Sequence, residues 1–159
     1  MTPEERRAKI ESYGQAYDDL LAALKEFPRE MWQWKPAPGR WSVHEILVHL
    51  ADSETNAYVR VRRMIAEPGG SVMAYDQEKW ATNLNYHAQN PDHAVEQLKW
   101  IRRTTYDLLR QQPDAVWSHT GVHPEHPTYS MERWLEIYAG HLPGHINQMR
   151  KNYDAWKKK

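Results

Sequence analysis

Tyr138-Ala-Gly-His141-Leu-Pro-Gly-His145-Ile-Asn-Gln148 is the stretch from which the fold of this chain is best read. Around it Met131, Trp134, Leu135, Ile137, Tyr138, Leu142, Ile146 and Met149 recur every three or four residues, and Ser130 stands as an N-cap, so the spacing predicts a helix over 130–155. At 3.6 residues per turn, His141 and His145 project from one face of that helix, one above the other. Such a pair can grip one metal ion, as the two histidines of an H-E-x-x-H helix do. Leu142 stands where that motif carries its general-base glutamate, so peptidase chemistry is not implied. The same spacing equally fits an incidental histidine pair on a wet helix face. Pro143 lies between the two, flanked by Gly140 and Gly144. It lacks an amide hydrogen and crowds the carbonyl of Ala139, at a cost of about 3 kcal/mol in a regular helix. A local rule broken between two candidate ligands marks functional sites, and also ordinary kinked helices.

A metal site needs a third donor. The strongest candidate is His49, in Trp41-Ser-Val-His-Glu45-Ile-Leu-Val-His49-Leu-Ala-Asp52-Ser-Glu54. Ser42 to Glu45 reads as a capping box, and no breaker follows until Pro68-Gly69-Gly70, so a helix is expected over 42–66. Its apolar stripe is Val43, Ile46, Leu47, Leu50, Ala57, Val61 and Met64. His49 shares its side with Glu45, Asp52, Ser53 and Asn56, a polar strip that lines either a wet pocket or the surface. His44 points roughly 140° away and is not expected to join it.

Two more helices complete the pattern. Thr2-Pro3-Glu4-Glu5 opens one that runs to about residue 26, carrying Ile10, Tyr13, Tyr17, Leu20, Leu21 and Leu24. Asn90-Pro91 opens another to about residue 111, with Val95, Leu98, Ile101, Thr105, Leu108 and Leu109 as its stripe. Residues 28–40, with three prolines, Trp32 and Trp34, read as an irregular connection. Residues 67–90 form a long connection with a short helix around Tyr75–Tyr86 anchored by Trp80; connections of that length are often functional. Residues 114–129 read as an exposed loop carrying His119, His123 and His126. Four long amphipathic helices in one domain, 1–159, make an all-α four-helix bundle the expected architecture, and in such bundles metal sites are built from side chains on facing helices.

Composition narrows the partners. Lys plus Arg and Asp plus Glu number 21 each, so no global field favours nucleic acid or an anionic membrane. There is no cysteine, so no disulfide framework and no thiolate ligand or nucleophile; any metal must be held by His and oxygen donors. No apolar run reaches a membrane-spanning length and no signal-peptide core is seen, so a cytoplasmic protein is expected. Eight Trp and nine Tyr against one Phe mean that much of the core must be built from rings with a polar handle.

Taken together, the blocks Trp41–Glu54 and Tyr138–Gln148 resemble the DinB superfamily, the DinB/YfiT-like candidate metalloenzymes that include bacillithiol S-transferases and mycothiol-dependent enzymes. The resemblance runs from the first helix to Gln148. It implies a four-helix bundle with a long crossover connection, often dimeric, and a metal held by three histidines. Carried over by motif, these are His49, His141 and His145, and nothing in this sequence departs from that ligand pattern. The generous apolar stripes agree with a homodimer.

Three imidazoles leave a divalent ion at least one open position, as in catalytic sites. Zinc or nickel suits such a set, with iron or manganese as alternatives. The ion would acidify a water or a small thiol. Because the motif builds in no carboxylate base, a thiol is the more attractive partner, joined to an electrophilic small molecule in detoxification or stress response. A metal-dependent hydrolase using an activated water is the alternative, and a non-enzymatic, stress-associated metal-binding protein is a third. Asp52 and Glu54 are weak candidates for a base, and Gln148, one turn after His145, for orienting a ligand or a water. Trp134, two turns before His141, either walls the pocket or belongs to the core.

Overall fold

The computed structural model describes residues 1–159, the side chain of Thr128 excepted. Five helices carry the architecture: α1 (Pro3–Leu24), α2 (Val43–Ala66), the short α3 (Gln77–Asn83), α4 (Pro91–Leu109) and α5 (Met131–Trp156). The four long ones form the expected bundle. Around it α1 touches α4 and α5, and α2 touches the same two, so the ring runs α1, α4, α2, α5 and the first two helices face each other diagonally. The connection 67–90, which includes α3, is what lets α4 enter the ring between α2 and α1.

The helix starts are those that side-chain chemistry dictates. Thr2 and Glu5 close a capping box on α1, and Ser42 and Glu45 close one on α2. Asn90 and Ser130 each accept backbone hydrogen bonds at the starts of α4 and α5. α1 and α4 end at Leu24 and Leu109, the last apolar residues of their stripes and two residues short of the expected bounds. Helix ends fray once their apolar residues lose a partner.

Residues 114–129 depart from expectation. The sequence predicts an exposed loop; the structure instead has a 3-10 turn at Asp114–Ser118 and an antiparallel hairpin, β1 (Thr120–His123) with β2 (His126–Ser130). Ser71 of the crossover adds a parallel bridge to Val122. The hairpin packs on α2 and α5, and its burial explains why it is ordered: Trp117, His123 and Tyr129 all turn inward. Gly121 is required there, because a Cβ would meet Val72 at 2.9 Å and Met64 at 3.1 Å.

Two apolar clusters fill the bundle. One gathers Tyr13, Ala57, Val61, Leu109, Trp134 and Tyr138; the other gathers Leu20, Leu47, Leu50, Leu98, Leu142 and Met149. Glu54, Arg102 and His141 lie along the helices between the two clusters, with His49 inside the second, so a polar layer crosses the middle of the core. Trp134 is wholly buried in the first cluster and donates its indole N–H to the Ala57 carbonyl at 3.0 Å.

α5 continues through Pro143 as one helix. A Cβ added at Gly140 or at Gly144 would meet no atom within 4 Å. Gly140→Ala and Gly144→Ala should therefore each stabilise the protein by about 0.5–1 kcal/mol, raising Tm by roughly 2–4 °C per kcal/mol. A fall in Tm by calorimetry would mean that the turn around Pro143 needs the glycines.

Candidate metal centre

α2 is buried on most sides over its first half: every residue from Ser42 to Ala51 is buried. The polar strip around His49 therefore lies inside the protein. The capping box holds this end in place: the Ser42 hydroxyl accepts from the Glu45 N–H at 3.2 Å, and the Glu45 carboxylate accepts from the Ser42 N–H at 2.9 Å. Opposite it, α5 presents His141 and His145 one turn apart. The three imidazoles meet, with ring centroids 4.7 Å apart for His141–His145, 4.9 Å for His49–His145 and 5.4 Å for His49–His141. One ring nitrogen from each lies within 4.8 Å of the others. The Trp41 indole packs 4.7 Å from the His49 ring and closes that side.

The donor set fits a metal ion. Both nitrogens of His49 and Nδ1 of His141 are buried and have no hydrogen-bond partner among the described residues. Unpaired buried polar atoms are costly, and a cation would take up the one lone pair that each neutral ring offers. His145 donates from Nδ1 to the Gln148 amide oxygen at 2.9 Å, which leaves its Nε2 lone pair free. Burial, reinforced by the neighbouring His145, pushes His49 down to about 3. Burial also pushes His141 well below the usual imidazole range, with His145 and His49 adding to the effect. For His145 burial lowers the value and the bond to Gln148 opposes it. All three rings are thus neutral near pH 7, the form that binds metals.

The acidic candidates have other partners. Asp52 accepts a hydrogen bond from the Tyr86 hydroxyl at 2.6 Å, and burial raises its pKa while that bond opposes the rise. Glu54 is fully buried, paired with Arg102 and bonded by the Tyr13 hydroxyl at 2.9 Å. Glu45 is tied to Lys35 at 2.7 Å and to the α2 cap. His44 donates to the Gln89 carbonyl at 2.7 Å, away from the three rings as expected. Gln148 is the one candidate that touches the cluster.

A cavity of about 480 Å³ opens onto His141, lined also by Arg60, Tyr75, His123, Tyr129 and Tyr138. Its hairpin wall was not foreseen from the sequence. The signal for it is the pair of aromatic and β-branched positions, Val122 and Tyr129, on either side of Pro124-Glu125. His123, Glu125 and His126 form a second group able to converge on a cation, though Glu125 and His126 are exposed. There His123 Nδ1 already accepts from the Glu125 N–H at 3.1 Å. His119 stands apart, with Nδ1 3.1 Å from the Met64 carbonyl.

Four long helices in this ring order, with three histidines converging between the second and the last, define a distinct class of bundle. The chain belongs to the DinB superfamily, which it matches over residues 12–149. It is 30% identical over 108 residues to OB0782 of Oceanobacillus iheyensis, and 27% identical over 109 residues to YfiT of Bacillus subtilis, both named as candidate metal-dependent hydrolases. These matches cover 68% of this chain but 62% and 61% of the two relatives. The solved structure of Bacillus subtilis YfiT, described as a probable metal-dependent hydrolase with an unusual four-helix bundle topology, superposes with a TM-score of 0.90. That superposition covers 99% of this chain and 90% of the other at 21% identity, a likeness of fold.

Proposed function

We propose that this protein is a metal-dependent enzyme in which His49, His141 and His145 hold one divalent ion, and that it joins a small thiol to an electrophilic small molecule. The observation that carries this reading is the meeting of three neutral imidazoles, His49 buried and His141 and His145 half-buried, beside a cavity, with no unengaged carboxylate among them. A divalent ion in that position supplies Lewis acidity, which makes a thiol or a water placed against it more acidic. The rest of the work falls to the chain. Gln148 fixes the tautomer and the plane of His145. Trp41 holds the His49 ring and keeps water from that side. The cavity beside His141 offers room for the electrophile. A thiol loses its proton readily and needs little help from a base. Water activation is better served by a carboxylate, and Asp52, Glu54 and Glu45 are bonded elsewhere.

A second reading, metal-dependent hydrolysis, is favoured by the names of the relatives. One experiment separates the two. The metal-loaded protein is assayed with bacillithiol, mycothiol and glutathione against a panel of electrophiles, and with activated esters in the absence of thiol. Thiol-dependent conjugate formation is the expected result. Ester turnover without thiol selects the hydrolase, and no turnover at full metal loading selects a binding protein.

Two further parts of the proposal are testable directly. Zinc or nickel is the expected ion in protein purified without an affinity tag, read by elemental analysis. A homodimer is expected by light scattering at micromolar concentration, a reading supported by the exposed Trp100 and Leu21 on the α1–α4 side. Gln148→Leu removes the acceptor for His145 and should weaken metal affinity 10- to 100-fold, the usual range for a partner of a ligand. Chelator competition reads this without any substrate.

A further inference from the structure

The cavity beside His141 contains a charge that the reaction scheme does not use. Arg60 is only 9% exposed, yet among the described residues it makes no ion pair. Its Nε donates to the Met73 carbonyl at 2.7 Å and its Nη1 to the Tyr138 hydroxyl at 3.2 Å. Both partners are neutral, and Nη2 has no protein acceptor. Buried charges are ordinarily paired, because a desolvated cation facing only neutral dipoles is costly. Contrast Arg102, more deeply buried still, which has Glu54. The carboxylates that share the cavity do not serve Arg60: Asp76 caps α3 and pairs with Lys79, and Glu125 is exposed at the hairpin tip.

A second unsatisfied group lies beside it. The Tyr129 hydroxyl is buried without a hydrogen-bond partner among the described residues, and its ring lies 6.0 Å from the Arg60 guanidinium. Nη2 of Arg60 and the Tyr129 hydroxyl are thus two unused donors on one wall of the cavity. The wall is joined to the histidines through α5: Tyr138, which Arg60 touches, lies one turn before His141, with rings 5.8 Å apart.

We infer that Arg60 and Tyr129 form an anchoring subsite for a carboxylate of the substrate, whose reactive end lies at His141. Two donors match the two oxygens of a carboxylate, and a planar guanidinium is suited to that geometry. The substrate class is then a small acid with a metal-reactive group at its other end. This deepens the proposed function and rests on its three-histidine reading.

The test uses ω-mercaptocarboxylates of two to six carbons, each compared with its amide. On cobalt-loaded protein, thiol binding is followed by the sulfur-to-cobalt absorption band; on metal-free protein, binding of the same acids is followed by ligand line broadening. At the best-fitting length the acid should bind about tenfold or more tightly than its amide. Arg60→Gln should abolish that preference and leave the amide unchanged, while Arg60→Lys keeps part of it; circular dichroism checks that each variant is folded. Equal binding of acid and amide at every length in the wild type overturns the inference, and so does an equal loss of both in Arg60→Gln. If cobalt does not bind, the metal reading falls, and the metal-free comparison of acid with amide still decides the role of Arg60.

Discussion

Replacing His49, His141 or His145 by alanine should each lower metal affinity by more than about 100-fold, beyond the effect expected for a mere partner of a ligand. Each variant should also lose all metal-dependent activity. Three donors fix the ion; with two, a loosely held ion must fill its shell with water. The same replacement at His44, His119, His123 or His126 should leave the affinity of this centre unchanged, since none of those rings meets the three. Elemental analysis after dialysis against a weak chelator reads both sets. Retention of the ion in all three variants would remove the basis of the proposed function. The metal-free His49 and His141 variants should also be at least as stable as the metal-free parent, because each removes a buried ring nitrogen without a partner, although the cavity left behind offsets part of that gain.

The second large effect concerns the polar layer beside this centre. Arg102→Met leaves Glu54 fully buried with only the Tyr13 hydroxyl. Breaking a buried pair from one side costs about 3–5 kcal/mol, or roughly 10 °C in Tm for a chain of this size. Burial already pushes Glu54 upward, against the pull of Arg102 and the Tyr13 bond. Without Arg102 its folded pKa lies above the unfolded value of about 4.3. The folded state then holds the extra proton, so the variant keeps most stability below that pH and loses it as pH rises through the folded pKa. The penalty should thus be small in mild acid and large near neutrality. Adding Glu54→Leu to Arg102→Met should recover most of the loss, as apolar replacement of a whole buried pair often does. Thermal melts across pH are sufficient. An unchanged Tm in Arg102→Met, or a double variant no better than the single, would contradict this account.

These two residues also show where sequence reading stops. Glu54 is one of the weak candidates for a base because it sits near His49 in sequence. Its partner Arg102 is 48 positions away on α4, and no periodicity within α2 shows which ring neighbour will supply a cation. The three histidines were legible because two are a helical turn apart and the third lies on a capped helix with a polar strip. The ring order of the helices was not, since amphipathic stripes state which face is apolar and not which helix it meets. Nor was the hairpin: its strands are short, Pro127 interrupts β2, and its stability comes from burying Trp117 and Tyr129 against α2 and α5. Arg60 stands in a basic cluster with Arg62 and Arg63, and nothing in that spacing marks it out. Only its burial separates it from its neighbours.

The three histidines come from distant parts of one chain, His49 from α2 and the other two from the last helix. During synthesis the first donor emerges 96 residues before His145, an interval of roughly 5–20 s at ordinary translation rates. Through that interval a nascent chain has only part of this three-histidine set. Loading would therefore follow the synthesis of α5, and an ion in place would report that α5 has been made and has docked against α2.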